Sequence, residues 1–271
     1  MIKNKLYQEP WKEFARKYLS YTPPVAPSKD DIKHIEFYLK KISKKNPKIL
    51  ILGCTVGLRK LFSKYGLKID LVDVTPQMFM HNPKTLKKLK RKEKFIHANW
   101  LDMRLKKKYD LIVGDFVINN FPLRQRGKFL RNVKRHLEDN GLFITRILFQ
   151  PKRKLSEKAI VDNYKNKPLN MKTLTEISWD FTFYPAFNRK NCKAYNRRAF
   201  LAMKKALSKN SYFKNWIKTY EDNFPTQAKY WTLLPFSEQN KEFKKVFKII
   251  DIRYSKNYHD CEYCPIYILK K

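Results

Sequence analysis

The sequence predicts an α/β fold, a doubly wound and mostly parallel sheet with helices on both faces. Three observations predict it. Residues 48–53 (Lys-Ile-Leu-Ile-Leu-Gly) are a short apolar run closed by a glycine, as expected of a strand buried on both sides. A glycine turn, a helix-like stretch and a second apolar run ending at Asp73 follow, which is the order of a nucleotide-binding βαβ unit. All six glycines fall between Gly53 and Gly141, where tight strand-to-helix turns are needed.

The elements can be justified in order. The stretch 1–27 is aromatic and proline-bearing (Trp11, Phe14, Tyr18, Tyr21, Pro23, Pro24, Pro27) and reads as a short helix and a turn packed on the core. Ser28 and Asp31 form a capping-box pattern, and Ile32, Ile35, Tyr38, Leu39 and Ile42 follow at helical spacing to about Lys45. Strands are expected at 48–53 and 67–73, with a helix at 57–65 between them and Gly66 at its end. Thr75-Pro76 starts a helical segment holding Met78. The basic run 84–94 reads as a solvated helix face. Further strands are expected at 94–98, 109–115 and 142–149, with a helix at 123–138 whose end Gly141 would mark. Residues 152–235 hold no glycine and read as helices and aromatic turns. Within them, the alternation Trp179, Phe181, Phe183 fits one buried strand face, with core packing as its main role. Two closing strands at 243–254 and 265–269 bring the total to seven. The expected organisation is an N-terminal helical segment (1–47) covering the site, a core made of 48–150 and 236–271, and a substrate-facing cap at 151–235.

Composition sets further bounds. A hydrophobic fraction of 43% and an aromatic fraction of 15% over 271 residues provide a core and argue against disorder. The net charge of +36 is spread along the chain and is not a basic tail, so it would attract polyanions non-specifically. No apolar run of about 18 residues occurs, and the first residues show no apolar signal core, so no membrane association and a cytoplasmic location are expected. Four cysteines are too few for a disulfide scaffold in a chain this long. His259, Cys261 and Cys264 lie near one another in sequence, but a structural zinc site needs a fuller ligand set, so they are read as the entry to the last strand and no metal is expected.

With these motifs in place, the chain resembles the class I S-adenosylmethionine-dependent methyltransferases over residues 28–150 and again over 240–271. Their glycine motif matches Gly53-Cys54-Thr55-Val56-Gly57, with Thr55 in place of the middle glycine. Their ribose-binding acid matches Asp73, followed by Val74. Met78 falls at an apolar position against adenine, although Met is also a common core filler. The adenine-amino position after the third strand falls on Asn99, beside Trp100. Asn99 serves equally as a cap for the next turn. The fourth-strand motif matches Tyr109–Asp115, with Asn119 and Asn120 just beyond it. An acid often found two residues before the first glycine is Ile51 here. A dinucleotide-binding fold is the nearest competitor, but the G-x-G-x-x-G spacing is absent.

The resemblance implies a Rossmann-like methyltransferase fold with a helical, aromatic insertion before the last two strands, and S-adenosylmethionine as cofactor. It implies Gly53, Cys54, Thr55, Gly57, Asp73, Val74, Met78, Asn99, Trp100 and Asp115 as cofactor contacts. Asp115 would also orient a substrate amine or take a proton, and the competing reading is a structural strand end. Asn119, Asn120, Tyr230 and Trp231 are the expected substrate contacts, with the Trp179–Phe187 cluster as a further candidate wall. The expected reaction is methyl transfer to a small-molecule acceptor. Two alternatives stay open: modification of RNA or DNA, which the charge favours, and a cofactor-binding module without turnover.

Overall fold

The computed structural model describes Ala15, residues 21–80, Leu86, and residues 92–224 and 229–271. The expectations for most of 1–20 and for the basic run 84–91 therefore lie outside the described residues. The chain builds a seven-stranded sheet from β1 (Ile49–Leu52), β2 (Lys68–Asp73), β3 (Lys92–His97), β4 (Tyr109–Asp115), β5 (Leu137–Arg146), β9 (Lys248–Arg253) and β10 (Ile266–Lys270). Their order is β3-β2-β1-β4-β5-β10-β9. The first five strands are mutually parallel, while β10 runs antiparallel to both β5 and β9.

Alternation along the central strands explains the two helical layers. Ile49 and Ile51 of β1, with Leu111 and Val113 of β4, face α1 (Lys29–Lys40) and α2 (Val56–Lys64) through Ile35, Leu39, Leu58 and Phe62. Leu50, Leu52 and Ile112 face the other way, onto Phe129, Leu130 and Val133 of α4 (Leu123–Arg135) and Phe243 of α9 (Phe236–Lys244). The capping box is formed as read: Ser28 Oγ accepts from Asp31 N at 3.0 Å, and Asp31 Oδ2 accepts from Ser28 N at 2.7 Å. A short α3 (Pro76–Met80) follows β2. No helix among the described residues is long and apolar enough to cross a membrane.

Three local readings are corrected. Gly141 does not end a helix, because α4 stops at Arg135 and β5 begins at Leu137. It lies beside the register irregularity where β5 meets β4, and a Cβ there would come within 2.9 Å of Tyr109 O. Phe243 belongs to α9, so the first closing strand is only Lys248–Arg253. The run Trp179, Phe181, Phe183 is helical. Trp179 and Phe183, four residues apart, share one face with ring centroids 4.3 Å apart, while Phe181 enters a different cluster.

Between β5 and α9 the chain forms α5 (Glu157–Tyr164), α6 (Met171–Phe183), α7 (Asn196–Leu207) and α8 (Lys214–Asn223). It also forms a small antiparallel sheet of β6 (Phe187–Asn188), β7 (Lys193–Tyr195) and β8 (Tyr230–Thr232), which sequence periodicity did not reveal. These helices do not form a separate core. Ile160, Leu174, Ile177, Met203 and Trp216 share one apolar cluster with Cys54, Val56 and Met78, so this segment is packed onto the carboxyl edge of the sheet.

Candidate active site

A cavity lies at that edge, between the ends of β1, β2 and β4 and the helices of 151–235. This is where open α/β sheets bind ligands. Of the residues singled out from sequence, Gly53, Cys54, Thr55, Asp73, Met78, Trp100, Asp115, Asn120 and Trp231 line it.

Gly53 holds φ +93°, a backbone shape that side chains disfavour, and its N–H donates to Val72 O at 2.8 Å. The space a Cβ would fill there lies 3.6 Å from the Trp100 ring and 3.8 Å from Asp73 Oδ2, so the missing side chain opens a slot between an indole and a carboxylate. Thr55, in place of a glycine, has φ −55° and so needs no left-handed backbone. The Thr55 side chain makes no capping bond, so the first N–H groups of α2 are left without a side-chain acceptor from that position. Cys54 is buried, and burial pushes its thiol well above the ordinary range, which makes it a packing group and not a nucleophile.

Asp73 is buried and accepts a hydrogen bond from Thr75 N at 2.8 Å. Burial raises its pKa to about 7, with the backbone N–H groups of Thr75 and Val74 and the charge of Lys229 pulling the other way. Trp100 is fixed by its indole N–H, which donates to Val72 O at 2.7 Å, so its flat ring is presented and its polar edge is spent.

Five sequence-singled residues lie outside the cavity. Gly57 sits where α2 crosses α1, with a Cβ position 3.2 Å from Ile32 Cδ1, so its smallness serves helix packing. Val74 turns its carbonyl to His97 Nε2 at 3.0 Å. Asn99 caps the next turn, Oδ1 accepting from Leu101 N at 2.9 Å. Asn119 is fully buried as a clamp: its Nδ2 donates to Leu148 O (2.8 Å) and Thr232 O (2.9 Å), and its Oδ1 accepts from Leu148 N (3.0 Å). Tyr230 and Trp231 are neighbours on one strand and point to opposite faces, and Tyr230 meets Tyr195 instead.

Asp115 reaches the wall, but Arg146 engages both of its oxygens, Nε at 2.7 Å and Nη2 at 3.2 Å. Arg146 Nη1 also reaches Asp31 Oδ2 at 3.2 Å and Ala26 O at 3.3 Å, and the guanidinium lies 4.1 Å from the centre of the Phe116 ring. Ser255 donates to Asp31 Oδ1 at 2.6 Å. This buried knot ties the ends of β4 and β5 to the start of α1 and to the loop after β9. Both oxygens of Asp115 are thus held in an ion pair, the arrangement that the strand-end reading of this residue describes. The signal in sequence was Arg146 itself, a charge at the carboxyl end of an apolar strand.

The opposite wall is aromatic. Trp179, Phe183, Trp231, Tyr220, Phe224 and Tyr21 line it, and Tyr220 and Phe224 stack with centroids 4.8 Å apart and planes nearly parallel. Tyr220, Phe224 and Asn196 were not singled out from sequence, because chain distance and helical context hide their convergence, whereas Tyr21 belongs to the N-terminal aromatic stretch expected to cover the site.

Behind Trp179, His259 does not join Cys261 and Cys264. His259 Nε2 lies 2.6 Å from Asp180 Oδ1, and Asp180, His259 and Asp260 approach one another closely enough to hold a cation. Every carboxylate oxygen there already has a protein partner. Tyr164 donates to Asp180, while Trp179, Tyr184 and Arg153 donate to Asp260. Burial opposes the His259 imidazolium, but the bond to Asp180 and the surrounding carboxylates outweigh it and raise its pKa.

Residues 50–143 match the family model of a methyltransferase domain. No curated protein matches the chain by sequence. Among solved structures the chain is similar to a Clostridium acetobutylicum S-adenosylmethionine-dependent methyltransferase (14% identity, 96% of this chain and 98% of that one, TM-score 0.59). It is similar to the PH0226 protein of Pyrococcus horikoshii (15%, 95% and 98%, TM-score 0.59). It is also similar to the CcbJ methyltransferase of Streptomyces caelestis (9%, 97% of each chain, TM-score 0.59). At these identities the structural likeness carries the fold.

Proposed function

We propose, from the methyltransferase-domain match over residues 50–143, that this chain is a class I S-adenosylmethionine-dependent methyltransferase whose edge cavity seats the cofactor beside the β1–α2 turn and a small-molecule acceptor against the aromatic wall. The observation that carries this reading is that Gly53 and Asp73 share one cavity with Trp179, Phe183 and Trp231.

The residues present suit the cofactor. Asp73 offers acceptors for a ribose diol, the slot at Gly53 admits close approach of a nucleoside, and Met78 and Trp100 supply apolar and flat surface. When bound, the cofactor supplies a methyl group already made electrophilic by its sulfonium. The chain's own task is then alignment and exclusion of water, which an aromatic cover performs without a catalytic triad. An aromatic wall without a cation among its described residues favours a small acceptor over a nucleic acid, although the overall charge of +36 would draw polyanions to the exterior.

Isothermal titration and thermal shift with S-adenosylhomocysteine test the reading. Heat of binding and a raised melting temperature are expected. A folded protein that gives neither overturns it.

A further inference from the structure

We propose that the methyl acceptor is an amine carried on a flat or apolar body, recognised through the side-chain oxygen of Asn120 and the ring faces of Phe116, Trp179 and Trp231. This rests on the methyl-transfer reading above and adds the chemical class of the acceptor.

The first support is the polarity of the unmet groups. Asn120 Nδ2 donates to Phe116 O at 3.0 Å and to Val117 O at 3.4 Å, which fixes the amide orientation. The group left over is Oδ1, buried and without a hydrogen-bond partner among the described residues. Asn196 Oδ1, on the cap side of the same cavity, is in the same condition. A buried acceptor with no donor costs about 1–3 kcal/mol, which a ligand N–H removes. The charged groups among the described lining residues are acidic: Asp73, assigned above to the ribose, and Asp115, held by Arg146.

The second support is the distribution of charge. In a chain with 60 Lys and Arg, no lysine, arginine or histidine is among the described residues lining the cavity. Arg146 lies beyond the Phe116 ring and is matched by Asp115 and Asp31. Lys229 lies 3.7 Å from the centre of the Trp231 ring, and burial pushes its amine toward the neutral form. A carboxylate, phenolate or phosphate would enter without a counter-charge, which is costly. An amine or ammonium instead meets the Asn120 oxygen and ring faces, surroundings that suit an N–H donor or a cation. Phe116 stands 6.2 Å from Trp179 and 6.4 Å from Trp231 between ring centroids, so the three rings surround one end of the space.

An acceptor that arrives as an ammonium first gives a proton to solvent, and the neutral nitrogen then uses its lone pair to form the new N–C bond. The C–S bond of the cofactor breaks as it does so, and its electron pair stays on sulfur. The methylated ammonium then gives its extra proton to solvent. The N–H donated to Asn120 leaves the lone pair free for this.

The test is titration of 2-phenylethylamine, 4-ethylphenol and 3-phenylpropionate into the full chain saturated with S-adenosylhomocysteine. The amine is expected to bind at least about tenfold more tightly than either matched probe. Asn120→Leu, or Asn196→Leu should the first not fold, is expected to weaken the amine about tenfold while leaving S-adenosylhomocysteine affinity unchanged. Equal affinity for the phenol or the acid overturns the proposal. So does failure of the amine to bind a protein that binds S-adenosylhomocysteine, or an unchanged amine affinity in the variant. Failure of S-adenosylhomocysteine itself to bind overturns the methyl-transfer reading instead, and the acceptor assignment falls with it.

Discussion

Titrating S-adenosylhomocysteine into the protein across the neutral pH range interrogates Asp73, whose carboxyl titrates at about 7 because it is buried. If the ionised carboxylate accepts the ribose hydroxyls, affinity follows the ionised fraction. About a tenth of the carboxyl is ionised one pH step below its pKa, and nearly all of it one step above. The dissociation constant is therefore expected to fall about tenfold between roughly pH 6 and 8, or about 1.4 kcal/mol. Asp73→Asn keeps the side-chain shape and can still accept from Thr75 N, but it does not titrate. Its affinity should be weaker at pH 8 and flat across the range. The ligand-free fold should respond in the opposite sense. A carboxyl whose folded pKa is raised adds stability that is complete below its ordinary value and is lost as pH rises through about 7. Asp73→Asn should accordingly stabilise the ligand-free protein at pH 8, by about 2–4 kcal/mol in urea unfolding. A wild-type affinity that does not change with pH, or a variant with the same slope as wild type, would refute the ribose assignment.

Other substitutions probe the frame around the cavity. Gly53→Ala places a side chain on a backbone at φ +93° and fills the slot beside Trp100. It should cost about 1–3 kcal/mol in denaturant unfolding and weaken S-adenosylhomocysteine in titration. Asp115→Asn leaves the Arg146 guanidinium short of one counter-charge in a buried knot, and unfolding should register a loss of about 3 kcal/mol. Asn119→Ala removes three buried hydrogen bonds and strands Leu148 N, so about 2–4 kcal/mol of destabilisation is expected from chemical denaturation.

The parts legible in sequence are those set by local rules. The strand Tyr109–Asp115 has the bounds read from its apolar run, and the Ser28–Asp31 cap is formed by residues three apart. Gly66 ends α2 with φ +64°, as a helix-stopping glycine should. The cavity's sheet-side wall follows from the same logic, since a strand end and its glycine turn define it. The cap side was harder to read. Trp179 and Phe183 alternate with Phe181 as strand residues would, and only the surrounding helix shows that they share a face. The Arg146 knot joins residues 115 apart in sequence, a pairing that no periodicity announces. Gly57, at a motif position, and Asn119, just beyond one, also carry tertiary contacts that no local pattern announces: helix crossing at Ile32 and a buried clamp on Leu148 and Thr232.

That no cation is among the described residues lining the cavity of so basic a protein has a kinetic corollary. S-adenosylmethionine carries one net positive charge at neutral pH, and its demethylated product carries none. The field of a chain with net charge +36 repels the former during approach and ignores the latter. Dissolved ions shorten that field to about 10 Å at 0.1 M, so added salt should quicken capture of the methyl donor and leave product escape untouched. Dilute buffer would then understate how fast this protein loads, and the crowded electrolyte of a living compartment would supply the conditions under which its outward charge ceases to obstruct its own supply.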